Sequence, residues 1–200
     1  MATQVSAKEV SALRAKTGAG MMDCKKALLE TGGDVQKAID YLKQKGIAKA
    51  EKRAGRTATQ GVIESYVHFN SRVGVLVELN CETDFVARTE DFKLLARDIA
   101  LHVASADPIA VTEDEVPADF IEHEKAIFEK QVEESGKPEP VRKKIVEGKL
   151  KKLLQEKVLL DQPFVKDDKK SVGQLVKEVS GKVGENIVVR RVIRYELGVE

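Results

Sequence analysis

Residue types that could carry out catalysis are few in this sequence and lie far apart. The two cysteines, Cys24 and Cys81, fall in different predicted modules, and the three histidines fall in three different predicted elements. This set is too small and too scattered to form a cysteine-rich zinc site. The sequence also lacks the motifs of phosphate-binding loops, zinc proteases and serine hydrolases. It therefore predicts a protein without catalytic residues, metal or cofactor.

One short segment combines a carboxylate with a large aromatic side chain. Thr83, Asp84, Phe85 and Val86 lie between the predicted end of a strand and the predicted start of a helix. Loops held by a rigid scaffold often carry function. Residue types alone leave two interpretations equally open: the segment forms a binding site, or Asp84 caps the next helix while Phe85 packs inward. Acidic neighbours would disfavour a thiolate at Cys81, so this cysteine is expected to be a poor nucleophile.

A second candidate is the pair Met21 and Met22. Neighbouring residues on a helix point in different directions, so both side chains cannot face the core of a small helical bundle. At least one of them is therefore expected at the surface. Flexible methionine side chains suit protein-binding surfaces, although an exposed methionine with no partner is an equal alternative.

His102 is the histidine best placed for interpretation. It falls in register with Leu95 and Ile99, which puts it on or beside the buried stripe of a predicted helix. A hydrogen-bonded histidine at the edge of a core is more common than a catalytic or contact histidine. The pattern therefore favours a structural role.

Composition describes a globular chain with balanced charge. Its 200 residues carry 34 Lys and Arg against 33 Asp and Glu, a net charge of +1, and 42% of residues are hydrophobic. This balance disfavours nucleic-acid binding by the whole surface. The basic stretch 43–56 could bind RNA locally, but it lacks interleaved aromatic residues, so a helical linker is the favoured interpretation. Without a signal segment or a membrane-length apolar run, and with two separate thiols, the sequence predicts a cytoplasmic protein.

The elements needed to position these residues follow from periodicity. Residues 1–46 predict three short helices, with a capping box at Ser6 and Glu9 and a third helix that ends at Gly46. Two of these helices should bury the following side chains: Cys24, Ala27, Leu28, Val35, Ala38, Ile39 and Leu42. We interpret 47–60 as the basic helical linker.

Residues 61–200 predict a mixed core domain. A β-hairpin covers 61–79 with Val73, Val75, Val77 and Leu79 on one face, and a long third strand covers 187–197 with strict alternation. Two amphipathic helices around a Gly/Pro turn predict a helical hairpin at about 112–157. The predicted fold class is α+β: a small three-helix domain, then a three-stranded antiparallel sheet with helices and the hairpin.

Five strings resemble motifs of the bacterial elongation factor Ts family, in the family's order. They are TGAGMMDCKKAL at 17–28, NCETDFVAR at 80–88, HVAS at 102–105, QPFV at 162–165 and GENIVVRR at 184–191. One such string would be weak evidence for a family, whereas five strings in the same order over nearly the whole chain are specific evidence. The resemblance implies a ubiquitin-associated-like N-terminal domain, a core domain with an antiparallel sheet, and a protruding helical hairpin.

The resemblance also implies a function and a partner. The family exchanges the guanine nucleotide of elongation factor Tu, the GTPase that carries aminoacyl-tRNA to the ribosome, and does no chemistry of its own. Its motif matching Thr83, Asp84, Phe85 and Val86 disturbs the magnesium site of that partner, so GDP leaves and GTP can rebind.

Other positions match family contacts with the same partner. The region matching Leu13, Met21 and Met22 contacts the partner's nucleotide-binding domain, and His102 matches a position near the partner's phosphate loop. Longer family members carry a duplicated core half, whereas this sequence carries one set of these elements and resembles the short form. A lone three-stranded sheet leaves a face or edge to be covered, so a homodimer and a two-to-two complex are expected. The alternative function is a ribosome- or RNA-associated basic module.

Overall fold

A computed structural model describes residues 5–133 and 138–199. Within these ranges the chain forms eight α-helices, a short 3-10 turn and five strands. In chain order they are α1 (Ala7–Thr17), α2 (Met21–Glu30), α3 (Val35–Glu51), β1 (Gln60–Val67), β2 (Val73–Cys81), α4 (Asp84–Ala87), α5 (Glu90–Ala106), the 3-10 turn (Glu113–Glu115), α6 (Ala118–Glu133), α7 (Glu139–Lys157), β3 (Pro163–Phe164), β4 (Asp167–Ser171), α8 (Val172–Val183) and β5 (Ile187–Glu196).

The chain divides into two compact units that are not continuous in sequence. The first comprises 1–62, 79–95 and 176–188, and the second comprises 63–78, 96–175 and 189–200. These units do not test the domain boundaries expected from the sequence, which stay predictions.

The first three helices form as the sequence predicts. Ser6 and Glu9 make both hydrogen bonds of a capping box at the start of α1. Asp34 caps α3 by accepting a hydrogen bond from the Lys37 amide at 3.0 Å. The three helices enclose one cluster of buried side chains, which comprises Val10, Leu13, Cys24, Ala27, Leu28, Ala38 and Leu42.

Two details of α3 differ from the prediction. Val35 is 40% exposed, because the first turn of the helix extends beyond the core formed with α1 and α2. Gly46 does not end α3, which continues to Glu51. Gly46 faces Gly181 of α8, and a Cβ added to Gly181 would lie 2.8 Å from the Gly46 backbone, so the close contact depends on the missing side chain of Gly181.

The predicted antiparallel sheet is confirmed, with the strand order β1-β2-β5. Val75, Val77 and Leu79 of β2 are buried, and Leu76 between them is exposed, as alternation requires. The strict alternation predicted for β5 is wrong: Arg190 and Arg191 are both exposed, and the more buried parity changes there. Helix α5 buries the predicted stripe, which comprises Phe92, Leu95, Ala96, Ile99 and Val103.

The second unit contains two further pieces. Helices α6 and α7 pack against each other, with the Lys149 ammonium 5.4 Å from the ring centre of Phe128. The predicted turn between them lies partly outside the described residues. Strands β3 and β4 form a separate antiparallel pair that the sequence did not predict, because β3 is only two residues long. None of the helices in the described ranges combines the length and apolar character that a bilayer span requires.

Candidate functional site

Residues 83–86 form the start of a short helix at the surface, with Thr83 and Phe85 exposed and Asp84 and Val86 partly buried. Thr83 caps α4 by accepting a hydrogen bond from the Val86 amide at 3.4 Å, so Asp84 is the first helical residue and not the cap. The side chain of Phe85 is 79% exposed. The inward-packing interpretation of this segment is therefore wrong. Residues 83–86 are called the tip below.

A carboxylate from a distant part of the chain holds the backbone that leads into the tip. Glu185 accepts hydrogen bonds from the amides of Glu82 at 3.1 Å and Thr83 at 3.0 Å, and from the Thr83 hydroxyl at 2.6 Å. In return, the Asn186 amide donates to the Glu82 carboxylate at 2.7 Å. Hydrogen bonds to a charged acceptor are stronger than neutral ones. These bonds between Glu82–Thr83 and Glu185–Asn186 are called the clamp below.

The clamp is itself anchored. Ser180 of α8 donates its hydroxyl to the Glu185 carbonyl at 2.5 Å. The Asn186 side-chain amide donates to the carbonyls of Arg56 at 2.7 Å and Ala54 at 3.3 Å. Gly184 supplies the left-handed turn, with φ of +84°, that brings Glu185 back from the end of α8.

The sequence did not assign Glu82, Glu185 or Asn186 a role. Glu185 lies within a family-like string, but its contact with Thr83 joins residues 102 positions apart. One local signal existed, since a glycine beyond a predicted helix often marks a left-handed turn. That signal locates the turn and does not identify what the next side chain contacts.

Cys81 lies beneath the tip as an inert thiol. It is buried, and its Sγ donates to the Thr83 carbonyl at 3.1 Å. Burial, followed by the negative charge of Glu185, raises the pKa of this thiol to about 11. The expectation of a poor nucleophile agrees with this pKa, although burial contributes more than the neighbouring acids do.

The outer surface of the tip pairs an exposed aromatic ring with a carboxylate. Asp84 forms an ion pair with Arg88 one turn later, at 2.8 Å, and both side chains are largely in water. Such exposed pairs contribute little to stability, so the carboxylate can exchange its partner at small energetic cost. The tip thus presents the Phe85 ring and the Asp84 carboxylate close together at the surface.

The methionine pair also lies at the surface. Met21 is 44% exposed and Met22 is 75% exposed at the start of α2. Leu13 is only 1% exposed, since it belongs to the three-helix core. Leu13 can therefore support a contact surface but does not present its side chain to a partner in this conformation.

His102 is enclosed and fully hydrogen-bonded, as its register on α5 predicts. The Val165 amide donates to Nδ1 at 3.2 Å, so Nε2 carries the proton and donates to the Gln162 side chain at 2.9 Å. The Gln162 amide group in turn donates to the Glu156 carbonyl at 2.8 Å. Burial lowers the pKa of His102, so the ring is neutral near pH 7. A contact role for this histidine stays a prediction.

The basic stretch 43–56 is partly neutralised by contacts within the chain. Lys45 and Lys49 both bind the Asp23 carboxylate, at 2.8 and 2.7 Å, and together they lower the pKa of that carboxyl. Arg56 lies 3.4 Å from Glu82. These pairs reduce the positive charge available to phosphates, so the structure adds no support for the RNA-binding alternative.

The tip and the methionine pair carry exposed apolar side chains of the kind found at protein-binding surfaces. The family model described as Elongation factor TS matches residues 4–199. The chain is 55% identical over 195 residues to Elongation factor Ts of Desulforamulus reducens, covering 98% of this chain and 90% of that protein. It is 55% identical over 195 residues to Elongation factor Ts of Coprothermobacter proteolyticus, covering 98% and 99%. The Thermosipho melanesiensis protein of the same name is 54% identical over 194 residues, covering 97% and 99%.

The chain belongs to the elongation factor Ts family. Membership confirms the resemblance found in the sequence and makes the chain a translation elongation factor. It implies nucleotide exchange on elongation factor Tu rather than an enzymatic reaction.

Removing the clamp carboxylate should loosen the tip without removing its binding groups. We expect Glu185→Ala to lower the free energy of unfolding by about 1–3 kcal/mol, because two amides and a hydroxyl lose their acceptor. Hydrogen exchange at the Glu82 and Thr83 amides should become faster. Glu185→Gln keeps one acceptor oxygen and should recover part of the protection. Equal exchange rates in the wild type and the Ala variant would show that the clamp does not order the tip.

The buried neutral His102 should make folding sensitive to mild acid. The unfolded chain binds a proton near the ordinary histidine pKa of 6.5, whereas the folded ring resists protonation. The histidine contribution is therefore complete above this pKa and is lost as the pH falls towards the lower folded pKa. Urea unfolding at pH values from about 7 to about 5 should show a steeper loss of stability than in His102→Asn. Parallel curves would contradict this assignment.

Proposed function

We propose that the tip promotes GDP release from elongation factor Tu by disturbing the site that holds magnesium and the phosphates. The observation that carries this proposal is the exposed ring of Phe85 on a short helix whose leading backbone is clamped. Leaving a large aromatic side chain in water is unfavourable unless a partner covers it. We place this exchange in the cytoplasm, where the factor and its GTPase partner meet during elongation.

The two side chains of the tip have different roles in this proposal. Phe85 enters an apolar gap between helices of the partner and acts as a wedge. Asp84 exchanges its ion pair with Arg88 for groups near the metal ligands and redirects their hydrogen bonds. Val86 and Thr83 keep the short helix in place, since the Thr83 hydroxyl binds both the clamp and the Val86 amide.

Exchange follows from linkage between two ligands of one protein. A GTPase holds its nucleotide through backbone amides and a magnesium ion that bridges the phosphates. Suppose that the exchange factor binds best to a partner in which those contacts are strained. Exchange factor and nucleotide then weaken each other's affinity for the partner to the same extent. The tip accelerates release of either nucleotide, and the cellular nucleotide pool determines which one rebinds.

The exposed methionines supply a second contact in this proposal. Met21 and Met22 lie against the partner's nucleotide-binding domain, and Leu13 supports them from the core of a ubiquitin-associated-like domain. For His102, we propose an indirect role: the ring holds the backbone at Val165, whose side chain is exposed nearby. Flexible methionines tolerate small shifts of the partner during exchange.

Replacing the wedge should slow exchange while leaving the fold intact. We expect Phe85→Ala to slow stimulated release of fluorescent GDP from elongation factor Tu by about 30-fold, the equivalent of about 2 kcal/mol for a central aromatic contact. Because the ring is exposed, the melting temperature should hardly change. Phe69→Ala is the matched control, since Phe69 is also an exposed phenylalanine but lies in the other unit. Unchanged release with Phe85→Ala would exclude the wedge.

We further propose that a second copy of the chain covers the exposed face of the sheet and gives a two-to-two complex. Alternate residues of β1, β2 and β5 in the second unit present apolar side chains to solvent. They are Ile63, Val67, Leu76, Ile193 and Tyr195. An apolar face of this kind is typical of an interface, and an identical copy offers a self-complementary one.

A charge within this face should prevent the association. We expect the wild type to sediment as a dimer at micromolar concentration and Tyr195→Lys to sediment as a monomer, because the ammonium would lose water at the interface. Leu29→Lys, at an exposed leucine of α2, should leave the mass unchanged. A wild-type mass of 22.1 kDa at this concentration would argue against the dimer.

A further inference from the structure

The tip and the methionine pair belong to the same compact unit. One stretch of chain contacts both the backbone that leads into the tip and the three-helix group that carries the methionines. This stretch, 176–188, carries the end of α8 and the clamp residues. We propose that Gly181 is a positioning residue: the close crossing of α8 and α3 at Gly181 and Gly46 sets the separation of the two surfaces, so that one elongation factor Tu molecule engages both at once. This inference rests on the proposed function.

The crossing is closer than any other residue would allow. A Cβ placed on Gly181 would lie 2.8 Å from the Cα, C and O atoms of Gly46. Backbone atoms cannot move aside as a flexible side chain can, so one of the helices would have to shift. Both glycines lie inside helices, where glycine is about 1 kcal/mol less favourable than alanine. Close approach of the two backbones requires a glycine at position 181, whereas a Cβ on Gly46 would make an ordinary contact of 3.7 Å with the Gly181 Cα.

Contacts on either side of the crossing join α8 to the end of α3, to Gly18 after α1 and to α5. The Lys177 ammonium binds the Glu51 carboxylate of α3 at 2.9 Å. The Lys182 ammonium binds Asp91 at 2.6 Å, and its aliphatic stem covers Gly18, at which an added Cβ would lie 2.8 Å from Lys182 Cε. The Lys177–Glu51 pair thus joins α8 directly to α3 beyond the glycine crossing, whereas the Lys182–Asp91 pair joins α8 to α5.

A groove of about 280 Å³ runs beside the crossing. Side chains of α1, α3 and α8 line it, among them Lys16, Ile39, Lys43 and Val179. The helices are therefore not in contact along their whole length. Beside the groove, their separation depends on the glycine contact and on the Lys177–Glu51 ion pair.

The end of α8 connects this crossing directly to the tip. Ser180, the residue before Gly181, binds the Glu185 carbonyl, and Glu185 binds the backbone of Thr83. A shift of α8 relative to α3 would therefore move the tip relative to the methionine pair. When two contacts engage one partner, the second forms at a high effective concentration, and this advantage is lost if geometry forbids simultaneous contact.

Steady-state exchange on elongation factor Tu·GDP tests the inference, with the full chain and fluorescent GDP. We expect Gly181→Val to raise KM about tenfold while the maximal release rate changes less than about twofold, because Phe85 still reaches its gap when the concentration is high. Gly148→Val is the matched control: it places the same side chain inside α7, where an added Cβ meets no atom within 4 Å. This control should leave KM unchanged.

A double-mutant cycle separates positioning from general damage. Met22→Ala should raise KM in the wild type and have little further effect in Gly181→Val, since the two surfaces no longer bind together. Independent, multiplying effects on KM, or an unchanged KM for Gly181→Val, would overturn the inference. If circular dichroism shows that Gly181→Val does not fold, Gly181→Ala takes its place in the same cycle and is judged by the same outcomes.

The wedge variant distinguishes failure of this inference from failure of the proposed function. Phe85→Ala measured alongside should lower the maximal release rate. If it does so while Gly181→Val and Met22→Ala act independently, only the positioning role fails. If Phe85→Ala leaves the maximal rate unchanged, the proposed function itself fails.

Discussion

The carboxylate of Glu185 is the interaction on which the presentation of the tip depends. A helix of four residues cannot form by itself, because nucleation costs more than its few hydrogen bonds return. Here the amides of Glu82 and Thr83 are satisfied from outside the helix, and the Thr83 hydroxyl links the clamp to the first turn. The ring of Phe85 can then remain in water without the loop folding back over it. Because the tip is already ordered in the free chain, binding to a partner does not have to include the entropy cost of ordering it.

The stretch that supplies Glu185 also packs against the N-terminal helices. The position of the tip therefore depends on how the elements of the first unit pack together. Ser180 and Gly181 are neighbours, yet one fixes the clamp and the other meets the backbone of α3. The second unit carries a different set of features, namely the exposed sheet face and the helix pair α6–α7. In the proposed function, strain is transferred best by a surface that does not itself yield to the partner.

Periodic features of this fold could be predicted from the sequence, and singular contacts could not. The alternation of Val75 and Val77, and the stripe of α5, follow from burial on one face, which repeats along an element. Gly46 was misassigned because a glycine after an apolar stripe resembles a helix end, whereas α3 continues to Glu51 and Gly46 faces Gly181. Residues 83–86 do lie between a strand end and a helix start, as predicted, but the contact of Thr83 with Glu185, which lies a hundred residues further on, could not be predicted from local pattern.

The position of Cys81 under the tip makes its thiol resistant to oxidation and alkylation. At neutral pH a thiol with a pKa of about 11 is a thiolate in only about one molecule in ten thousand. Peroxides and alkylating agents attack the thiolate form, so the sulfur under the tip offers them almost no target. Oxidation and alkylation should thus spare Cys81, unlike the exposed, acidic thiols of other proteins.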